Sequence, residues 1–177
     1  MASIIKANQL QDFGGNSILT SDGAGNLTTQ KINYPAFEAY SSTNQTLADN
    51  VAEKVVFDTE KFDTDNCYDN STNYRFTPTV AGKYLFFVSV RGSTASTQLR
   101  DMYIQLYKNG ASLNNFYNEF TANYIKDFTP GFVTIEEANG TTDYFEIYAR
   151  IDTNDSSDAT LTADQTTNHF GAYRIGS

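Results

Sequence analysis

The amino-acid sequence predicts an all-β protein built as a sandwich of short strands. Its 177 residues are 40% apolar and 14% aromatic, and the abundant Tyr, Phe, Thr and Val favour a pleated, half-buried surface. Several segments alternate apolar and polar residues, and Gly or Asn-Gly turns separate them. The sequence has neither a long helical pattern nor an internal repeat. A chain of this length fits one such domain with a short appendage.

The clearest strand signal lies in residues 73–91. Tyr74 and Phe76 alternate with polar neighbours. Pro78 cannot donate a ladder hydrogen bond, and Gly82 permits the positive φ of a reversal. We therefore predict two strands around one tight turn, the second of them covered on both faces at the centre of a sheet. Its first face carries Tyr84, Phe86, Val88 and Val90, and its second face carries Leu85 and Phe87.

Residues 1–33 differ in composition from the rest of the chain. Ile18-Leu19-Thr20 precedes, and Leu27-Thr28-Thr29 follows, a turn that contains Asp22-Gly23, so a small hairpin is expected. An isolated hairpin is only marginally stable in water. The segment therefore either gains order against copies of itself or another protein, or remains an unstructured tail.

Seven further strands are expected from alternating apolar and polar residues. Their predicted ranges are 36–40, 53–57, 102–107, 112–124, 129–135, 144–151 and 169–175. The range 112–124 combines a strand with a loop at the rim of the sandwich. Asn109-Gly110 and Asn139-Gly140 supply tight turns, and residues 61–73 and 152–158 are expected to be polar loops.

The acidic composition argues against two classes of partner. A net charge of −9 is the opposite of the basic stripe that a nucleic-acid groove requires. An anionic membrane surface is disfavoured for the same reason, and no run approaches 18 apolar residues, so we expect no membrane insertion. Residues 1–9 lack the continuous apolar region of a secretory signal. We therefore expect synthesis in a cytoplasm and release by assembly or lysis.

The chain offers little material for catalysis. Cys67 is its single cysteine, which excludes an intrachain disulfide and a cysteine-based zinc site. His169 is its single histidine, and no Gly-x-Ser-x-Gly motif accompanies it. A glycosidase would need two paired carboxylates, yet most acidic residues lie in polar loops where nothing predicts pairing or desolvation. We therefore assign no catalytic residue and no cofactor.

Two acidic loops have the oxygen-rich, alternating pattern of calcium-binding loops. Asp63 and Asp65 belong to the first loop, and Asp152 and Asp155 belong to the second. Neither loop has the EF-hand spacing, which requires a Gly and a distal Glu. Calcium is therefore the only metal that the sequence suggests, and solvated acidic loops are the alternative.

One segment has the composition of a recognition surface. Residues 112–124 mix Asn with Tyr and Phe, which supply broad contact area and adaptable hydrogen bonds. Phe116, Tyr117 and Tyr124 are its candidate contact residues, and their rings could stack on sugars. The alternative is that these aromatic side chains pack within the core of an oligomer.

Four segments, in order, resemble the globular head of complement C1q and the related tumour necrosis factor fold. Residues 74–88 contain the aromatic, x-Pro and Gly-x-Tyr elements of the signature strand pair, and residues 106–110 look like the strand that ends in Lys-Asn-Gly. Residues 133–145 look like the strand, turn and strand before the last crossover. The segment His169-Phe170-Gly171-Ala172-Tyr173-Arg174-Ile175 looks like the closing strand. The resemblance covers Pro35 to Ser177.

The resemblance implies a jelly-roll β-sandwich of about ten strands that assembles as a homotrimer. Strands near the end of the chain would line the threefold axis, which makes Phe132 and Tyr173 the candidate interface residues. Some heads of this family bind calcium at the trimer apex. The chain has no collagen-like stalk, and its Asn-, Gly- and Thr-rich start looks like the N-termini of bacteriophage structural proteins with similar heads.

These observations predict a non-enzymatic homotrimeric protein of the virion surface, made in the host cytoplasm. Residues 1–33 would attach it to other virion proteins, and residues 34–177 would form the exposed head. The head would brace the capsid as a decoration protein or head fibre, or form a short tail-fibre tip; a long fibre would need shaft repeats. The alternatives are a receptor-binding tail protein that binds a host glycan or protein, and a polysaccharide-degrading enzyme.

Overall fold

A computed structural model of the chain describes residues 7–29, 35–95, 98–121 and 125–176. These residues form eighteen β-strands and no helix, which confirms the predicted all-β class. The described part of the chain therefore contains no helix that could cross a membrane. The chain divides into two compact units, residues 1–34 and residues 35–177.

The first unit is a small antiparallel sheet in the order β1-β2-β3. Its strands are β1 (Gln9–Gln11), β2 (Ser17–Ser21) and β3 (Leu27–Thr29). The predicted hairpin is confirmed as β2 and β3, whereas β1 was not expected. In the turn between β2 and β3, Asp22 Oδ1 accepts hydrogen bonds from the backbone N–H groups of Ala24 and Asn26, at 2.7 and 3.1 Å.

The second unit contains the remaining fifteen strands, more than the ten expected because several are only two or three residues long. They are β4 (Ala36–Tyr40), β5 (Gln45–Leu47), β6 (Glu53–Lys54), β7 (Thr59–Asp63), β8 (Tyr68–Asp69), β9 (Arg75–Phe76), β10 (Gly82–Ser89), β11 (Gly92–Ser93), β12 (Leu99–Lys108), β13 (Ala111–Glu119), β14 (Asp127–Phe128), β15 (Gly131–Ala138), β16 (Phe145–Thr153), β17 (Ala159–Leu161) and β18 (His169–Gly176).

Three antiparallel sheets make up this unit. The five-stranded sheet has the order β15-β10-β18-β4-β7, and the six-stranded sheet has the order β13-β12-β16-β9-β8 with β6 also paired to β16. A four-stranded sheet of short strands follows the order β14-β11-β17-β5. Because strands that are distant in sequence are hydrogen-bonded neighbours in each sheet, the connections must cross repeatedly between sheets.

The core lies between the five-stranded and six-stranded sheets. Alternate residues of their strands point inward and are fully buried, and rings from the two sheets contact one another. Phe37 stacks on Phe76 with ring centroids 4.6 Å apart, and Phe86 lies 4.5 Å from Phe145. Each of these four rings is 0% exposed, so contacts between aromatic side chains join the two sheets.

The structure corrects the predicted strand pair in residues 73–91. Strand β9 belongs to the six-stranded sheet and β10 to the five-stranded sheet, so the segment between them crosses the core instead of forming a hairpin turn. The apolar alternation arises because Phe76 and Phe86 face each other from opposite sheets, 6.1 Å apart. Gly82 has the expected positive φ, 148°. Strand β10 lies inside its sheet, one strand from the edge, and β18 is the middle strand.

The region from 53 to 73 also differs from expectation. The predicted strand at 53–57 shrinks to β6, although Val55 N–H still donates to Ile147 of β16. The predicted polar loop at 61–73 contains the end of β7 and all of β8. Asp63 links these two strands because its carboxylate accepts hydrogen bonds from the backbone N–H groups of Asp65 and Tyr68.

Candidate functional site

The outer face of the five-stranded sheet exposes aliphatic and aromatic side chains to solvent. Val133 and Ile135 of β15 are 65% and 53% exposed, and Tyr173 of β18 is 45% exposed. The strand register places them together, because Leu85 lies opposite both Ile135 and Tyr173. We call this surface the apolar face; it consists of Leu85, Phe87, Val133, Ile135, Tyr173 and Ile175.

Gly171 makes room for one ring of the apolar face. It lies opposite Phe87 in the ladder between β10 and β18. A Cβ atom at position 171 would lie 2.2 Å from Cζ of Phe87 and 2.8 Å from the carbonyl oxygen of Phe37. Only glycine therefore allows the Phe87 ring to lie over β18, where it extends the apolar face across the sheet.

The two candidate interface residues point to opposite sides of the five-stranded sheet. Tyr173 lies on the apolar face. Phe132 pairs with Val88, and its half-buried side chain packs against the core of its own subunit. Because side chains alternate along a strand, the outward positions of β15 are Val133 and Ile135. These two residues, and not Phe132, carry the exposed apolar surface of that strand.

His169 lies at the end of the apolar face. Its ring centroid is 6.1 Å from that of Phe87, and its half-buried position lowers its pKa, an effect that the nearby Glu38 carboxylate opposes. Ser89 lies opposite His169 in the ladder, yet among the described hydrogen bonds none joins their side chains. The geometry therefore contains no activated serine at this position.

The candidate recognition residues do not share one surface. Phe116 and Tyr117 are consecutive in β13 and therefore point to opposite sides of the sheet. Phe116 lies opposite Ile104 at the open edge of the sandwich, whereas Tyr117 lies opposite Tyr103 on the outer face and is 49% exposed. Tyr124 lies outside the described residues. Their role in recognition stays a prediction.

The outer face of the six-stranded sheet is rich in tyrosine, a feature that was not predicted from the sequence. We call it the tyrosine face; it consists of Tyr103, Gln105, Tyr107, Asn115, Tyr117, Tyr148 and Arg150. Tyr107 and Tyr148 stack with centroids 4.2 Å apart, and the Arg150 guanidinium lies 5.0 Å from the Tyr103 ring. Strict alternation in residues 103–107 and 144–151 is the signal that could have placed these side chains on one face.

Arg150 also neutralises two buried carboxylates beside the tyrosine face. Its Nη2 atom lies 3.0 Å from Asp101 Oδ1 and 3.3 Å from Asp152 Oδ2. Burial raises the pKa of Asp101, and the Arg150 charge opposes that effect. Arg100 adds a contact of 2.7 Å to Asp152. The charges of this cluster are therefore largely satisfied within the subunit.

The four calcium candidates do not converge. Asp63 accepts hydrogen bonds from its own loop, Asp152 pairs with arginine, and Asp155 accepts from the backbone and hydroxyl of Ser157. Asp65 lies in the same loop as Asp63. The described residues hold no group of three or more acidic, histidine or cysteine side chains that could share a metal ion. Calcium binding by these loops stays a prediction.

Comparisons with known proteins agree with this fold. The sequence profile of the C1q domain matches residues 36–170. Murine APRIL at pH 5.0 superposes with a TM-score of 0.57 at 8% identity, over 81% of this chain and 100% of that one. Eiger TNF from S. frugiperda gives 0.55 at 9% identity, over 81% and 92%. The globular domain of zebrafish complement 1qA gives 0.50 at 15% identity, over 78% and 93%. No curated protein sequence matches the chain.

Proposed function

Because the chain belongs to the C1q domain family, and its fold is the jelly roll expected from the sequence, we propose that it is a non-enzymatic, homotrimeric protein of a bacteriophage surface. In this role the N-terminal unit attaches to the particle. The jelly-roll head projects outward, where it braces the capsid as a decoration protein or head fibre, or forms a short tail-fibre tip. The observation that carries the proposal is the apolar face, which a single subunit leaves in water.

The apolar face favours assembly with further copies of the chain. Contiguous exposed apolar surface on a water-soluble subunit usually marks an interface. A ring of three subunits requires two different patches on each subunit. The apolar face supplies one patch, and the open edge between β13 and β15, where Leu113 and Phe116 are 42% and 37% exposed, supplies the other. In this arrangement Tyr173 is buried against a neighbouring subunit.

The N-terminal unit has the features of an attachment segment. Its three strands are at most five residues long, and Leu10, Phe13 and Ile18 are exposed. A sheet of this size buries too little apolar surface for independent stability, so contact with a virion protein would complete its packing. The Asn-, Gly- and Thr-rich composition of residues 1–33 supports the same role.

Adhesion to a host surface is the second candidate function, and the tyrosine face favours it. Tyrosine combines a large apolar ring with a hydroxyl group, and it is enriched in recognition surfaces for that reason. A receptor-binding tail protein would present this face to a host glycan or protein. A polysaccharide-degrading enzyme is the weakest alternative, because Asp101 and Asp152, the buried carboxylate pair, are neutralised by arginine.

Two measurements test the proposal. Light scattering of the purified chain should give the mass of three subunits, and a monomer at all concentrations would contradict the trimer. Deletion of residues 1–33 should leave a folded head that no longer joins particles; a truncated chain that still joins would show that attachment lies elsewhere. Imaging of labelled particles then distinguishes a capsid position, which indicates bracing, from a tail position, which indicates adhesion.

A further inference from the structure

A polar cavity of about 410 Å³ lies where β7, β8 and β9 meet, within the range of roughly 300–1,000 Å³ typical of small-ligand sites. It is separate from both the apolar face and the open edge. Its polar lining comes from β7, from the turn between β7 and β8, and from the loop between β8 and β9. Strand β9 and the residues directly after it complete the lining. The side chains involved are Glu60, Asn66, Asn70, Ser71, Arg75 and Thr77.

Five of these six side chains have no hydrogen-bonding or ion-pair partner within the described residues. They are Glu60, Asn66, Asn70, Arg75 and Thr77. Elsewhere in the second unit, Asn and Asp side chains commonly cap their own loops, as Asn139 and Asp155 do. The convergence of five unengaged polar groups on one concave surface is therefore distinctive, and such groups set orientation and specificity in ligand sites.

The wall of the cavity is held in place before any ligand arrives. Asp69 Oδ1 accepts hydrogen bonds from the backbone N–H groups of Ser71 and Thr72, at 3.1 and 2.9 Å, and Asp69 Oδ2 accepts from Asn73 N–H at 3.1 Å. These bonds lower the pKa of Asp69 and fix the loop that carries Asn70. A ligand would therefore lose little affinity to ordering of this loop.

Arg75 is also pre-oriented. Its guanidinium lies 4.4 Å from the centroid of the Tyr144 ring, a cation–π contact that leaves its hydrogen-bond donors unused. Tyr74, immediately before it, has a φ of 50°, which is uncommon for a residue other than glycine. Arg75 lines the cavity, where Glu60 supplies the opposing acceptor.

The charge around the cavity selects against anions. Glu60 and Asp69 line the cavity together with a single arginine, Arg75, so the charge of the lining is negative. Burial and the nearby Asp63 carboxylate raise the pKa of Glu60. The available groups are two amides, a hydroxyl, a carboxylate and a guanidinium, which donate and accept hydrogen bonds in comparable number. The Asp69 carboxylate is already engaged by its own loop, and the two remaining charged groups, Glu60 and Arg75, have opposite signs. A matching ligand is therefore uncharged and carries several neighbouring hydroxyl groups.

We infer that this cavity binds one uncharged hexopyranose unit of a polysaccharide. Glu60 accepts hydrogen bonds from sugar hydroxyls, Arg75 donates to sugar oxygens, and the Asn66 and Asn70 amides do both. This inference rests on the proposed role at the host surface and gives that role a ligand class. The tyrosine face would contribute further contacts along the same polysaccharide.

Titration calorimetry with the full-length chain tests the inference. The probes are short neutral oligosaccharides of glucose, galactose and mannose, and glucuronic acid is the anionic comparison. We expect at least one neutral probe to bind at millimolar concentration or below and glucuronic acid to bind more weakly. Arg75→Gln and Asn70→Ala should each weaken binding about tenfold, because each removes hydrogen bonds to the sugar. Arg91→Gln, which alters an arginine outside the cavity that pairs with Asp127, is the matched control.

Asn70→Ala keeps the test decisive if Arg75→Gln disturbs folding through the lost Tyr144 contact. Neutral sugars that bind equally well to Asn70→Ala and wild type would overturn the assignment, as would equal or tighter binding of glucuronic acid. Absence of binding to every neutral probe would also overturn it. A chain that binds sugar but is absent from particles would contradict the proposed function and not the sugar site. A chain that is present on particles but binds no sugar would contradict the sugar site and not the proposed function.

Discussion

The apolar face and the tyrosine face are the two outer surfaces of one sandwich, and they differ in what they can do with water. Val133 and Ile135 have no polar atom in their side chains, so their exposure is relieved only when another apolar surface covers them. Tyr107 and Tyr148 pack their rings against each other, and each side chain also carries a hydroxyl group that can form hydrogen bonds with water. A tyrosine surface can therefore stay hydrated and still form contacts.

The two faces also handle charge differently. On the tyrosine face, Arg150 pairs with two carboxylates that are 3–4% exposed. These charged groups therefore contribute to the stability of the subunit. In the five-stranded sheet, Lys61 and Glu38 form an ion pair on β7 and β4, at the edge opposite β15. Substitutions on the apolar face should therefore change assembly, whereas substitutions on the tyrosine face should change the stability of each subunit.

The largest effect is expected from a charge placed on the apolar face. Ile135→Glu should convert the trimer to a monomer, because burying an unpaired carboxylate in an interface costs several kcal/mol. Tyr117→Glu is a matched control, since Tyr117 is 49% exposed and Ile135 is 53% exposed. Light scattering should give one subunit for the first variant and three for the second. Equal masses for the two variants would remove the distinction between the faces.

Arg150→Met should have the next largest effect, this time on stability. It leaves Asp101 and Asp152 with only the exposed Arg100, and we expect the free energy of unfolding to fall by about 3 kcal/mol, with the trimeric mass retained. Urea unfolding at fixed protein concentration measures the loss.

The loss caused by Arg150→Met should shrink on acidification. Burial raises the pKa of Asp101 above its unfolded value, so the folded state binds this proton more readily than the unfolded state, and removal of Arg150 strengthens that preference. The deficit should therefore diminish as the pH falls toward the raised pKa. A deficit independent of pH would assign the effect to lost packing against Tyr103 instead.

The stacked pair on the tyrosine face should give a smaller coupling. A double-mutant cycle of Tyr107→Ala and Tyr148→Ala should show an interaction energy of about 0.5–1.5 kcal/mol, the usual range for an aromatic pair. The readout is the free energy of unfolding of the wild type, the two single variants and the double variant. Additive losses would mean that the two rings contribute only through their separate burial.

The smallest expected effect comes from His169 at the end of the apolar face. Burial lowers its pKa below the unfolded value of 6.5, while Glu38 raises it and Lys61 lowers it further. The stability contributed by the neutral ring is therefore present above pH 6.5 and lost as the pH falls below that value. Urea midpoints between about pH 7 and pH 5 should decline less steeply for His169→Gln than for wild type. Parallel curves would exclude His169 as the cause.

Long strands were predictable because their side-chain period is visible in the sequence. The alternation from Met102 to Tyr107 and from Phe145 to Ile151 indicates β12 and β16 directly. Strands such as β11 and β14 are two residues long and have no period to detect. Their existence depends on neighbours that are distant in the chain, and local patterns carry no information about those neighbours.

Pairing between strands was the main point where local inference failed. Phe76 and Phe86 form one continuous apolar pattern around a turn signal, yet they face each other across the core from different sheets. The pattern records only that both residues are buried, and a crossing connection produces the same pattern as a hairpin. The cavity was equally hidden, because Glu60 and Arg75 are fifteen positions apart and neither belongs to a recognisable motif.

The small size of the N-terminal sheet has a consequence for how firmly the protein is held on a particle. One unit with strands of three to five residues offers few contacts and would bind weakly by itself. In the proposed trimer three such units are tied together, so the binding of one unit raises the effective concentration of the other two at neighbouring sites. The avidity of the whole can then exceed the affinity of a single anchor by about 10²–10⁴, and the trimer stays attached while each anchor exchanges freely.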